Sequence, residues 1–233
     1  MKIENSTVLI TGANRGIGLA FAKAFLARGA KKIYTGARDP SKINLAGVTS
    51  IKLDVNSADD VKAAAKLAKD VTIVINNAGI ANLGSFMTDD AEAVLRSHLE
   101  TNVLGPLRIS RAFAPVLAQN GGGALVNVAS IASWISSPLL ASYAVSKSAL
   151  WSLSNGLRND LRGQGTHVMT LHMGFVDTDL TKGLEMPKSS PEAIVERTLQ
   201  ALEAGALEVL ADDMTQQVKS ALSAEQAVYL AAR

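Results

Sequence analysis

Seven short apolar segments alternate with longer stretches of helical character, and this alternation limits what the 233-residue chain can become. Thr7–Ile10, Ile33–Thr35, Val48–Val55, Val71–Ile75, Ala124–Ala129, His167–Met173 and Leu207–Ala211 read as strands. Helices are expected over Ile17–Leu26, Asp59–Lys69, a long region from Asp90 to Asn120, Ala141–Leu161 and Pro191–Glu203. Pro106 and Pro115 are expected to bend or segment the long one, because proline removes a backbone donor and crowds the preceding turn. Strands that are apolar throughout must be covered on both faces. Set between helices, they imply an α/β fold with a parallel sheet in the middle layer. No internal repeat, linker or low-complexity tract interrupts the pattern, so residues 1–233 are read as one domain.

Composition narrows the function classes. Hydrophobic residues are 48% and charged residues 19%, which describes a folding chain and not a disordered one. The net charge is +2, no basic run exceeds Lys31-Lys32, and aromatics are 4%, so nucleic acid is not an expected partner. There is no cysteine, which excludes disulfides and thiolate chemistry. His98, His167 and His172 lack metal-ligand spacing and are read as structural; no metal is expected. The start is not a signal peptide and no apolar run reaches membrane-spanning length, so a cytoplasmic protein without membrane contact is expected.

In parallel sheets of this kind, ligands collect at the carboxyl ends of the strands. The unusual residues fall there. Gly12 to Gly18 follow the first strand, Arg38 the second, Asn76 to Gly79 the fourth, Ser130 the fifth and Gly174 the sixth, while Asp54 closes the third. Thr11-Gly12-Ala13-Asn14-Arg15-Gly16-Ile17-Gly18 joins the first strand to the first helix. Glycines let the backbone turn tightly and approach a phosphate, and the free N–H groups of a helix start face that anion. An ordinary glycine turn is the plainer reading, and the position after the first strand favours the phosphate loop. At the end of the second strand, the carboxylate that would accept from both ribose hydroxyls of NAD is replaced by Ala37, followed by Arg38. With Arg15 in the loop, two guanidinium groups suit a 2′-phosphate, which favours NADP(H). Asp39 is the counter-signal, unless it caps the next turn or pairs with Arg38.

Tyr143 and Lys147 stand four residues apart on one face of an expected helix. A fixed ammonium beside a phenol favours the phenolate and lowers a pKa that is otherwise about 10. The pair is thus expected to make Tyr143 a proton donor usable near neutral pH, although the same spacing arises by chance on many helices.

Together, Thr11-Gly12-x3-Gly16-x-Gly18, Asp54-Val55, Asn76-Asn77-Ala78-Gly79, Asn102, Ser130, Tyr143-x3-Lys147 and Gly174-x-Val176-x-Thr178 resemble the short-chain dehydrogenases/reductases in their single-domain branch, over residues 6 to about 180. The resemblance implies a three-layer, Rossmann-type, doubly wound sheet of seven parallel strands in the order 3-2-1-4-5-6-7. It implies that Tyr143 is the general acid toward a carbonyl oxygen, with Ser130 bonding the same oxygen; the thirteen-residue spacing to Tyr143 selects Ser130 over its neighbour Ser133. Lys147 would lower the tyrosine pKa and hold the nicotinamide ribose. Asn102 would kink its helix and hold a water leading from Lys147 to solvent. Gly12, Asn14, Arg15, Gly16, Ile17 and Gly18 would surround the phosphates, with Arg38 beside them. Asp54 and Val55 would meet the adenine, Asn77, Ala78, Gly79 and Gly174 would pass close to the cofactor, and the Val176 backbone and Thr178 would fix the carboxamide.

Some residues depart from the pattern. Met173-Gly174 replaces the usual Pro-Gly, which should loosen that turn and put an apolar surface near the nicotinamide. The ending Leu210-Ala211-Asp212-Asp213-Met214 lacks the family's glycine-rich close, so a homodimer through the helices of Asn102 and Tyr143 is expected, with a tetramer as the alternative. Trp134, Ile135, Leu139, Leu140, Phe175, Leu180, Leu184 and Met186 would line the substrate pocket, with Lys182 and Glu185 as its charged pair, although some of these residues would simply pack the loop. The expected activity is NADPH-dependent reduction of an apolar aldehyde or ketone to an alcohol. The alternatives are an alcohol dehydrogenase working in the oxidising direction and an NADP(H)-sensing regulatory protein.

Overall fold

Seven segments condense into one parallel sheet in the computed structural model, which describes residues 1–230. The strands are β1 (Thr7–Thr11), β2 (Lys32–Ala37), β3 (Thr49–Lys52), β4 (Ile73–Asn76), β5 (Ala124–Val128), β6 (His167–His172) and β7 (Glu208–Leu210), and their spatial order is β3-β2-β1-β4-β5-β6-β7. The switch point lies between β1 and β4, where chain order reverses.

Period-two geometry splits each apolar strand between two cores. Val8 and Ile10 of β1 join Phe21 and Phe25 of α1 (Gly16–Ala27) and Leu199 of α6 (Pro191–Glu203). Leu9, between them, faces the other layer, with Phe113 of α4 (Gly105–Gln119), Leu157 of α5 (Ala141–Asp160) and Val61 of α2 (Ala58–Leu67). Both layers are needed, because every side chain of β1 is buried.

Local signals set the helix ends. The Ser57 hydroxyl accepts from the Asp60 N–H and caps α2; Ser190 caps α6 in the same way, just ahead of Pro191. The long helical region runs as α3 (Ala91–Leu99), a π turn over Glu100–Leu104, and α4. The break therefore comes at Asn102 and not at either proline. Pro106 sits in the first turn of α4, directly after the π turn, and Pro115 lies inside a helix that continues past it. Beyond β7 the tail forms α7 (Asp213–Ser220), capped by Asp212, whose carboxylate accepts from the Thr215 N–H at 2.8 Å.

No helix among the described residues is long and apolar enough to cross a membrane.

Candidate active site

A cleft of about 630 Å³ opens over the carboxyl ends of β1, β2, β4 and β5. The glycine loop forms one wall and is itself built on β4. Asn77 donates from Nδ2 to the carbonyls of Thr11 (2.9 Å) and Gly12 (3.1 Å), while the Thr11 hydroxyl accepts from the N–H groups of Asn77 and Ala78, both at 3.0 Å. Gly12 and Gly16 take φ of 66° and 53°, values that suit glycine. Gly18 is required for space: a Cβ there would sit 2.3 Å from the Gly12 carbonyl oxygen and 2.6 Å from Asn77 Nδ2. Gly18→Ala is expected to cost about 1–3 kcal/mol by overpacking. That should lower Tm by roughly 2–10 °C in differential scanning fluorimetry; an unchanged Tm would mean the loop yields freely.

Arg38 is exposed and lines the cleft, and among the described residues it enters no ion pair. Arg15 is held differently. Its guanidinium also lines the cleft but pairs with Asp179 at 2.9 Å. Asp39 is a cap: its Oδ1 accepts from the Ser41 N–H and hydroxyl, and Lys42 lies at 3.7 Å. Its carboxyl is held below the usual range chiefly by the Ser41 hydrogen bonds.

The cleft is also lined by Gly12, Asn14, Gly16, Ile17, Asp54, Val55, Asn77, Ala78, Gly79, Tyr143, Lys147 and Thr178. Five expected residues, Gly18, Asn102, Ser130, Gly174 and Val176, do not line it, although the Ser130 side chain bears on the Tyr143 phenol, which does. Asn102 occupies the π turn. Its Oδ1 accepts from the Ile80 N–H, and its Nδ2 donates to the Ile80 carbonyl and the Ser146 hydroxyl, all at 2.9 Å, tying the β4 loop to α5. Val176 bridges to Ser189 and is buried.

Tyr143 and Lys147 project from α5, and Lys147 Nζ is 5.5 Å from the phenol ring centroid. The expected lowering of the tyrosine pKa by the lysine is not what the geometry produces. The ammonium is turned to the Val128 carbonyl at 2.8 Å. Burial pushes the phenol up to about 12, with Ser130 acting in the lowering direction. Burial also brings Lys147 down to about 8.

Other expectations are corrected by packing. The Met173-Gly174 turn is not loose: the Gly174 N–H donates to Asp212 at 2.6 Å, and the Met173 carbonyl accepts from the Ile131 N–H at 2.8 Å. Met173 does line the cleft. Trp134 and Ile135 do not, because they pack with Ile131, Trp151 and Val218 beneath it. Of the eight apolar residues expected around substrate, Leu180 lines the cleft. Asp179, Asp212 and Ile80 were missed by sequence reasoning. The charge of Asp179, directly after the Gly174-x-Val176-x-Thr178 motif, was the available signal.

Below Ser130 lies a charged group. Glu208 accepts from Trp151 Nε1 at 2.8 Å and Lys219 at 3.1 Å, with His172 Nε2 at 3.7 Å. His172, then Trp151 and Lys219, hold the Glu208 carboxyl near 2 against burial, from a usual value of 4.5. A lowered carboxyl pKa stabilises the fold above the ordinary value, and the gain is lost as pH falls through the folded one. Glu208→Gln is therefore expected to destabilise by about 2–3 kcal/mol at pH 7. The gap from wild type should close between pH 4.5 and 2, as checked by urea unfolding across that window. Parallel pH curves would reject this role.

The model for the short chain dehydrogenase family matches residues 6–188. A short chain dehydrogenase from Burkholderia cenocepacia, solved in complex with NADP, superposes with a TM-score of 0.92 over 97% of this chain and 95% of that one, at 36% identity. Galactitol 2-dehydrogenase (L-tagatose-forming) of Cereibacter sphaeroides is 34% identical over 191 residues, 77% of this chain and 75% of that enzyme. The short chain dehydrogenase tazN of Aspergillus terreus is 31% identical over 202 residues, which is 79% of this chain and 44% of that protein. With the family model covering β1 through the loop after β6, and a relative of the same fold superposing almost end to end, this chain belongs to the short-chain dehydrogenase/reductase family.

Proposed function

We propose that the protein is an NADP(H)-dependent oxidoreductase that reduces an apolar aldehyde or ketone to an alcohol, with one domain carrying both cofactor and substrate. The observation that carries this reading is the meeting of Tyr143 and Lys147 with the Gly12–Gly18 loop in a single cleft. The residues fit the cofactor. The loop leaves no space for a Cβ at Gly18, presents the start of α1 to the cleft, and has the free guanidinium of Arg38 nearby. The NADP-bound relative supports the same choice.

When bound, the nicotinamide supplies the hydride. This chain supplies the proton and the hold on the oxygen. Tyr143, kept protonated by burial, donates its phenolic proton to the substrate oxygen as negative charge develops there. Ser130 donates a hydrogen bond to the same oxygen, and that bond strengthens as charge builds. Lys147 lies one turn along α5 and lines the same cleft, where it would hold the ribose hydroxyls of the bound nucleotide. Asn102 keeps α5 and the β4 loop in register through Ser146 and Ile80. Met173 and Leu180 add apolar surface to the cleft.

Oxidation of an alcohol is the second reading, favoured by the galactitol 2-dehydrogenase relative. It needs Tyr143 as phenolate, which a value near 12 opposes at neutral pH. The test is NADPH consumption over a panel of aliphatic and aromatic aldehydes and ketones, run against alcohol oxidation with NADP+ at the same pH. Turnover in neither direction by a folded protein that binds NADPH would favour a sensor. A homodimer through the elements holding Asn102 and Tyr143 would cover Leu104 and Val145, which are exposed; sedimentation equilibrium checks it.

A further inference from the structure

The carbonyl oxygen of Ser130 takes two donors. One is the Ser133 N–H at 3.0 Å, which closes the short turn after β5. The other is the ring of His172, whose Nδ1 lies 3.1 Å away, on the neighbouring strand. A carbonyl only accepts, so Nδ1 carries a proton. The opposite nitrogen, Nε2, is buried without a hydrogen-bond partner and faces Glu208 across 3.7 Å. The imidazole is fully buried and stacks on Trp134, with centroids 4.2 Å apart and planes 24° apart. Trp134 itself ends the turn that begins at Ser130. Lys219 of α7 lies over the Trp134 ring at 4.6 Å and also binds Glu208.

His172 therefore touches both ends of the Ser130–Trp134 turn, one by hydrogen bond and one by stacking. It makes no contact with the cleft. A purely structural histidine in this place would need only to fill volume. This one is aimed: its donor points at the backbone of the residue whose hydroxyl acts on Tyr143.

We infer that His172 is a positioning residue, whose Nδ1–H holds the Ser130 carbonyl and so aims the Ser130 hydroxyl at the reacting oxygen. The inference rests on the proposed role of Ser130. Catalysis by a hydrogen-bond donor is sensitive to displacements of about 1 Å. Losing the hold should therefore lower the rate of the chemical step and leave cofactor binding alone.

The test has two arms on the full-length protein. In the first, long-range 1H–15N spectra of protein labelled at histidine read the ring of His172 at pH 7, assigned by its loss in His172→Asn. A protonated Nδ1 is expected; an Nδ1 without a proton overturns the inference, and this arm needs no turnover. In the second, kcat and KM are measured with NADPH and an apolar aldehyde for wild type, Ser130→Ala, His172→Leu and His172→Asn, alongside NADPH affinity by fluorescence titration. His172→Leu should lose roughly tenfold in kcat with NADPH affinity unchanged. His172→Asn, whose Nδ2 takes the place of Nδ1, should recover most of that loss. Equal losses in both variants, or an effect on KM alone, would show that His172 only fills space. A loss in Ser130→Ala with none in His172→Leu overturns the inference and leaves the reading of the site intact. Undiminished turnover in Ser130→Ala overturns that reading, and the inference with it.

Discussion

Tyr143→Phe is expected to lower kcat for carbonyl reduction by about 10²–10⁴, the usual contribution of a positioned general acid. NADPH affinity should change by less than about twofold, because the ring and its packing against His98 are preserved and only the hydroxyl is lost. Measured together, kcat and the NADPH dissociation constant separate loss of chemistry from loss of binding. Comparable turnover in the variant would show that the proton comes from elsewhere, and the proposed function would have to be rebuilt.

The acidity of Tyr143 gives this prediction a second reading in pH. With the phenol near 12, it is protonated throughout the range where the fold is tested. Reduction by wild type should therefore be almost flat from pH 6 to 9, since the required proton is present at every point. Alcohol oxidation needs the phenolate and should rise steadily over the same range. Lys147, near 8, loses its charge inside this window, which removes a cation from beside Tyr143 and works against further loss of the phenolic proton. A reduction rate that falls tenfold per unit above pH 7 would mean that the phenol is far more acidic in the working enzyme than burial allows here.

The layout of the sheet is legible because the central strands β1, β4 and β5 are largely apolar and buried along their whole length, a pattern that burial on both faces explains. The position of the site followed from that, since glycines, amides and charges stand at strand ends. What the sequence could not show is which way long side chains turn. Arg15 suits a 2′-phosphate by its place in the loop, and the pairing of its guanidinium with Asp179, distant in sequence, is not visible in local spacing. Lys147 was read as acting on Tyr143, yet its ammonium reaches the Val128 carbonyl one strand away. Trp134 follows the active turn and was assigned to the substrate, but a stacked His172 draws it beneath the cleft. The prolines are expected to segment the long helix, whereas the break falls at Asn102, where the family resemblance implies a kink, because its amide bonds to Ile80 and Ser146 on other elements. In each case the deciding partner lies on another element, beyond the reach of local spacing.

Arg38→Leu is expected to weaken NADPH binding by roughly 10–100-fold, the loss of one charge-assisted contact with a doubly charged phosphate. NADH, which lacks that phosphate, should bind as before. The prediction singles out Arg38 because its guanidinium is exposed, lines the cleft and is in no ion pair among the described residues, whereas Arg15 must first leave Asp179. Arg15→Ala should accordingly have the smaller effect. Adding Ala37→Asp to Arg38→Leu would place a carboxylate at the end of β2, where it can accept from the ribose hydroxyls and repel a 2′-phosphate, so the double variant should prefer NADH. Raising the salt concentration should weaken NADPH binding in wild type more than in Arg38→Leu, because the contact it screens is exposed. Fluorescence titrations with both nucleotides, at two ionic strengths, decide the matter. An equal loss for NADPH and NADH in Arg38→Leu would mean that Arg38 shapes the adenosine side of the cleft without reading the phosphate, and cofactor choice would then have to rest on Arg15 released from Asp179.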